Sequence, residues 1–224
     1  MQLTQVDYTK ICNLLGITPN YTKGYNYADN IYNNNYVNRI FNKYINSLKA
    51  QPEKIILFFL ESCPSNMQNY IFDNLQASVT SKSYLNRICT GFGINPNNLN
   101  KQDCLELLLK YKTNKGENIP VVLIDLFPFH GIKLNTNTRK KICQNISNPN
   151  VLKDALFHIN NFISRLNNPN ILCIFGVPPT IWNCSNDCKT KFKLSPINNH
   201  IINIGGQNLS SNMIKQWRKQ ENID

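Results

Sequence analysis

Two carboxylates stand out by their surroundings. Glu61 directly follows the apolar run Ile55-Ile56-Leu57-Phe58-Phe59-Leu60, and Asp125 directly follows Pro120-Val121-Val122-Leu123-Ile124. A carboxylate at the end of a buried run is largely withdrawn from water, which is costly unless it is paired or hydrogen-bonded. Where two such runs are adjacent parallel strands, both acids approach one crevice. Burial and mutual repulsion then raise at least one pKa toward the range useful for proton transfer. The plainer alternative is that each carboxylate accepts bonds from the amides of its own loop and only holds a turn.

The neighbours of each acid add to the chemistry. Ser62, Cys63 and Pro64 form an abrupt stop after Glu61, and Leu126-Phe127-Pro128-Phe129-His130 follows Asp125. Phe127 and Phe129 are rings beside a carboxylate, suited to stacking on a planar base, and His130 is a candidate proton donor. A core aromatic next to a turn accounts at least equally well for one of the two rings. Tyr70 and Phe72, in Asn69-Tyr70-Ile71-Phe72, are candidates for a further wall, and a packed core face accounts for them equally well.

Several chemistries are disfavoured. The chain has no Gly-x-x-x-x-Gly-Lys-Ser/Thr, no Gly-x-Gly-x-x-Gly and no Gly-x-Ser-x-Gly, so phosphate-loop, dinucleotide and esterase readings have no support. Cys184 and Cys188 are four apart with Cys173 nearby, but no Cys-x-x-Cys occurs and no His follows at zinc-finger spacing. Neither a metal nor any other cofactor is expected.

The elements that must position these groups follow from periodicity. Tyr8, Ile11, Cys12, Leu14 and Leu15, then Ile31, Val37, Ile40, Phe41, Tyr44, Ile45 and Leu48, recur at helical spacing, with a polar loop expected over Pro19 to Asn35. Strands are expected at Ile55–Leu60, Pro120–Ile124, Ile171–Phe175 and His200–Ile204. Helices are expected over Lys101–Tyr111, capped by Asn100, over Val151–Leu166, and from Ser211 onward. Near-continuous apolar strands alternating with helices predict an α/β fold: three layers, α/β/α, around a short, mostly parallel central sheet. Residues 1–52 read as an N-terminal helical extension packed on a core domain of 53–224. In such sheets ligands bind beyond the carboxyl ends of the strands, where all four expected strands run into unusual loops.

The charge balance is strongly positive: 24 Lys and Arg against 13 Asp and Glu, a net +11 in 224 residues. Abundant Asn, Ile and Lys carry the codon signature of an A+T-rich genome, which accounts for part of that excess. The remainder suits a surface for a polyanion. Arg139-Lys140-Lys141 lies downstream of Asp125, Lys189, Lys191 and Lys193 form a second group, and Lys215, Arg218 and Lys219 lie on the last helix. Arg139, Lys140, Lys141, Lys215 and Arg218 are the candidate phosphate contacts. The longest apolar runs are far shorter than the roughly 18 to 20 residues that span a bilayer, and the N-terminus has no secretory pattern. The expectation is a cytoplasmic or nuclear monomer with reduced cysteines, DNA or another nucleic acid as partner, and no membrane.

The order of these motifs resembles the uracil-DNA glycosylase superfamily, especially divergent members whose first motif reads Glu-Ser-x-Pro. Phe59-Leu60-Glu61-Ser62-Cys63-Pro64 with Tyr70-Ile71-Phe72 downstream, Leu123-Ile124-Asp125-Leu126-Phe127-Pro128-Phe129, Ile174-Phe175-Gly176 and Gly206-Gln207-Asn208-Leu209-Ser210-Ser211 carry the likeness, over about residues 53 to 217. The resemblance implies a fold that accepts a flipped-out base and hydrolyses its N-glycosidic bond. Glu61 and the Ser62–Pro64 backbone would then orient the attacking water, Asp125 would read the base edge, and Tyr70 or Phe72 would stack on the base. Gln207, Asn208, Ser210 and Ser211 occupy the loop in which the family carries a histidine for the leaving base. Typical uracil-specific members have an amide at the Asp125 position. An ionised Asp only accepts hydrogen bonds, so the resemblance implies a modified or damaged base in place of uracil.

The leading expectation is therefore a DNA base glycosylase. The alternative is a catalytically inactive nucleic-acid-binding or regulatory protein on the same fold, and a third reading is a hydrolase or transferase of small nucleosides.

Overall fold

In a computed structural model of the chain, the described residues are 9, 12–13, 18–19, 32–62, 70–127, 170–176, 201–203 and 209–224. At Glu61, Ser62, Asp125 and Phe127 the description covers the backbone. The expected helix over Val151–Leu166 lies outside these residues.

The fold is mixed α/β around four parallel strands. They are β1 (Lys54–Ser62), β2 (Val121–Phe127), β3 (Asn170–Gly176) and β4 (Ile201–Asn203), in the spatial order β2-β1-β3-β4. β1 is central because its apolar run has no polar alternation, as a strand covered on both faces requires. Ile55, Ile56, Leu57, Phe58 and Phe59 are wholly buried, and Val121 to Ile124 of β2 are equally enclosed. β1 and β2 are longer than their apolar runs suggest. β1 continues through Glu61 and Ser62, and β2 through Asp125, Leu126 and Phe127, so both acids stand inside the ladder and not just beyond it.

Among the described residues β2 lies at an edge of the sheet, and an edge exposes unpaired backbone groups. Here two tyrosines from one helical segment supply the missing partners. Tyr32 donates its hydroxyl hydrogen to the Leu123 carbonyl (3.2 Å), and the Leu123 N–H donates to the Tyr36 hydroxyl (3.1 Å). Burial pushes the Tyr36 phenol far above its ordinary range, so it stays protonated and neutral. The tyrosines belong to a π-helical segment, Tyr32–Phe41, that continues into α1 (Asn42–Ser47). A loop was expected as far as Asn35. The helix instead begins at Tyr32, because Tyr32, Tyr36, Val37, Ile40 and Phe41 recur on the side that meets the sheet and are buried there. Their polar hydroxyls make the pattern look mixed in sequence, although the rings belong to the core.

Among the described residues two helices lie between β1 and β2. α2 (Tyr84–Gly91) starts at Ser83, whose side chain accepts from the Asn86 N–H (3.1 Å). α3 (Lys101–Leu109) starts at Asn100, which accepts from the Asp103 N–H (2.8 Å) and satisfies one of the free amides of the first turn. Leu105, Leu108 and Leu109 of α3 are buried as their spacing predicts. α2 lies in a region for which no helix was expected. Ser83 ahead of Leu85, Ile88 and Cys89 is nonetheless a cap followed by an i, i+3, i+4 apolar face. The last helix, α4 (Ser211–Gln220), is capped by Ser210 and packs on α2. A Cβ on Gly91 would come within 2.6 Å of the Ile214 Cβ, so the close approach of α2 and α4 requires glycine there. Among the described residues no helix is long and apolar enough to cross a membrane.

Candidate functional site

Strand order selects one place in the sheet. From β1 the chain goes to β2 on one side, then returns to build β3 and β4 on the other side of β1. The direction of winding therefore reverses at the β1/β3 boundary, and open parallel sheets place their ligand crevice beyond the carboxyl ends of the strands at such a reversal. Leu60 stands in register with Gly176 of β3, and Glu61 and Ser62 are the next residues of β1. Glu61 thus occupies the strand end beside the switch point. Gly176 closes the facing strand without a side chain to crowd it.

Asp125 lies on the other neighbour of β1. Its register partner is Leu60, and Phe127 pairs with Ser62. Glu61 and Asp125 are one register step apart and belong to opposite phases of the strand alternation. The register thus sets them on adjacent strands at the same end of the sheet without placing them at equivalent positions.

No protein-family model, curated protein or solved structure matches this chain. Its site is accordingly read from its own residues.

Tyr70 and Phe72 are both deep in the core, 2% and 0% exposed. Phe72 is the hub of an aromatic cluster: its centroid is 4.8 Å from those of Tyr32 and Tyr36 and 5.3 Å from that of Tyr70. The Tyr32 and Tyr70 contacts are edge-on, the favoured arrangement for ring quadrupoles. These rings bind the N-terminal helical segment to the chain that follows β1.

The backbone of that stretch is also held. Lys101, the first residue of α3, donates from its ammonium to the carbonyls of Tyr70 (2.7 Å) and Asp73 (2.9 Å), and Asn35 donates its amide to the carbonyl of Phe72 (2.9 Å). Burial lowers the Lys101 pKa, and the charge of Asp73 opposes that shift. The free amides at the start of α3 serve the same stretch: the Gln102 N–H donates to Leu75 (3.0 Å) and the Lys101 N–H to Ala77 (3.0 Å). Neither Asn35 nor Lys101 was singled out in the sequence. A lysine directly after a helix cap, at the carboxyl-end side of a strand–helix–strand unit, is the available signal.

Arg218 corrects an expectation. It was placed among the phosphate contacts, yet it is 7% exposed. Its guanidinium donates to the Gly91 carbonyl (2.9 Å), pairs with Asp224, and lies 5.3 Å and 5.9 Å from the ring centres of Tyr111 and Phe92. A helix that docks on α2 must turn one side inward, and Ile214, Trp217 and Arg218 are on that side. Lys215, a candidate phosphate contact, and Lys219 are on the exposed side. Ser210 is the helix cap, its oxygen accepting from the Met213 N–H (3.3 Å), and Ser211 opens the helix half-buried. Beside this turn Arg87 donates to the Leu209 carbonyl (3.3 Å).

The other expected site residues, Cys63, Pro64, Phe129, His130, Arg139, Lys140, Lys141, Gln207 and Asn208, lie outside the described residues, as does the group Lys189, Lys191 and Lys193. Among the described residues no three His, Cys, Asp or Glu side chains converge as a metal site would require. Cys89 and Cys104 are free, buried thiols on α2 and α3; their mutual hydrogen bond and burial push Cys89 up, so it remains a thiol.

Proposed function

We propose that this chain is a DNA base glycosylase related to the uracil-DNA glycosylase superfamily, acting on a flipped-out, modified or damaged base. The observation that carries the reading is the position of Glu61 at the end of the central strand, beside the topological switch point and across from the bare strand end at Gly176. Base extrusion suits a substrate whose reacting bond is enclosed in a duplex. In this reading the Glu61 carboxylate takes a proton from water as the water attacks C1′ of the extruded nucleotide, and the N-glycosidic bond breaks with its electron pair leaving on the base. Asp125 lies one strand away in the opposite alternation phase, so the reading rests on Glu61 and gives Asp125 no part in this step. Lys215 and Lys219 on the exposed side of α4 hold backbone phosphates. The right-handed crossover rule supports the finer fold expected from the sequence: the β1-to-β2 and β2-to-β3 connections run in opposite directions across the sheet and so lie on opposite faces, giving three layers. The protein is proposed to work as a monomer in the cytoplasm or nucleus.

The test is base release from duplexes carrying uracil, hypoxanthine, alkylated or hypermodified bases, comparing wild type with Glu61→Gln. Release from at least one duplex, with the rate lowered about 100-fold or more in the variant, is the expected outcome for loss of a general base. No abasic sites on any duplex would remove the catalytic reading.

A second reading is a non-catalytic nucleic-acid-binding protein. Burial of both expected stacking rings, Tyr70 and Phe72, favours it. It predicts salt-dependent binding that Glu61→Gln leaves unchanged.

A further inference from the structure

Tyr70–Asp73 is unusual in how many of its carbonyls are held by side chains from distant elements. Lys101 takes those of Tyr70 and Asp73, at 2.7 and 2.9 Å, and Asn35 takes that of Phe72 at 2.9 Å. The two donors come from opposite directions in sequence, one from the helical segment along the β2 edge and one from the first turn of α3. A half-buried ammonium is an expensive way to satisfy loop carbonyls. A neutral amide or the solvent would serve a loop that needed only to be closed. Charge-assisted bonds from a fixed helix end are shorter and stiffer, so they define where the backbone lies.

That position matters because of what lies on either side. β1 holds the chain up to Ser62, in register with Phe127, and the chain is held again from Tyr70. Supporting groups of this kind decide whether a site is held within the roughly 0.5 Å that chemistry demands.

We propose that Lys101 and Asn35 are positioning residues for base excision, fixing the Tyr70–Asp73 backbone that follows Glu61 and Ser62 in the chain. The inference rests on the glycosylase reading, and it assigns a reaction-related role to two residues outside every motif that suggested that reading.

The experiment compares wild type, Lys101→Met and Asn35→Ala by amide exchange over residues 70–77, by duplex binding, and by single-turnover release from whichever test duplex wild type cleaves fastest. Expected are faster exchange at 70–77, binding changed less than about 3-fold, and a release rate lowered about 10- to 100-fold, the cost typical of an ångström-scale misplacement. Asn35→Ala removes one neutral bond from the opposite side, so it tests the same claim if Lys101→Met fails to fold. Faster exchange with an unchanged release rate would overturn the inference and leave the glycosylase reading standing. A wild-type protein that releases no base from any duplex would remove both. Rate and affinity falling together by the same factor would also overturn it, since that marks general damage.

Discussion

Lys101 aims its ammonium at the backbone carbonyls of Tyr70 and Asp73, whereas Arg218 lies between the end of α2, the rings of Phe92 and Tyr111, and the carboxylate of Asp224. Both count toward the net +11, and both turn their charge inward. The difference lies in what receives the charge. Arg218 meets a formal anion, a carbonyl and two π faces, which its planar fork and weakly hydrated guanidinium suit. Lys101 meets backbone dipoles through a flexible stem that reaches two carbonyls at once. One cation locks helices together, and the other fixes the backbone of Tyr70–Asp73. Counting positive residues cannot distinguish either role from a phosphate contact.

The sharpest way to break the comparison is Arg218→Met. It strands the Asp224 carboxylate and the Gly91 carbonyl in a largely buried place, so a loss of about 3 kcal/mol in urea unfolding is expected. The salt dependence of duplex binding should stay as in wild type. Lys215→Ala should leave stability within about 0.5 kcal/mol and reduce the salt slope by about 1. A reduced salt slope for Arg218→Met would return that residue to the surface role expected from its sequence.

Gly91→Ala attacks the same junction without touching a charge. The new Cβ would meet the Ile214 side chain well inside contact distance, so α2 and α4 must separate. A loss of about 1–3 kcal/mol is expected from overpacking. A neutral result would mean that the Arg218 cluster alone holds the junction.

How far this arrangement was legible depends on whether a residue's role is written locally. β1, β2 and β3 announced themselves through near-continuous apolar runs, and α3 through Asn100 followed by an inward Leu face. Arg218 was misread because its role is set by the docking of α4 on α2, far apart in the chain, and because a basic residue near a chain's end looks like a solvated one. Tyr32 was assigned to a polar loop, and Tyr36 was left out of the helical face, for a related reason. Their hydroxyls serve Leu123, which lies 91 and 87 residues away. At the site the placement of Glu61 at a strand end was readable, but its relation to Asp125 was not. Register is a property of two strands, and it sets Asp125 against Leu60.

Lys101→Met should cost less than Arg218→Met, about 1.5 kcal/mol, because the orphaned groups are neutral carbonyls at a half-buried place. Its pH dependence gives a signature Arg218 lacks. A lysine with a lowered folded pKa binds its proton less well in the native state than in the unfolded state. Its burial penalty is therefore present at neutral pH and fades as pH rises through the folded pKa toward the ordinary value of 10.5. Tyr36 acts in the opposite sense: its raised pKa gives a stabilisation that is complete below pH 10.0 and is lost above it. Stability against pH from 8 to 12, in wild type, Lys101→Met and Tyr36→Phe, separates the two. Tyr36→Phe should flatten the alkaline decline, and Lys101→Met should steepen it.

The smallest effect belongs to a cation that does neither job. Lys54 at the start of β1 is 3.1 Å from Glu117, with the two side chains 41% and 40% exposed. Water screens such a pair, and ordering two long side chains offsets most of the Coulomb gain, so a double-mutant cycle with Lys54→Met and Glu117→Gln should give a coupling of about 0.5 kcal/mol or less. That value sets the scale for a solvated ion pair in this fold. A coupling above about 1 kcal/mol would place the strand-start pair closer to Arg218 and Asp224 than its exposure predicts, and would weaken burial as the property that divides structural from surface charge.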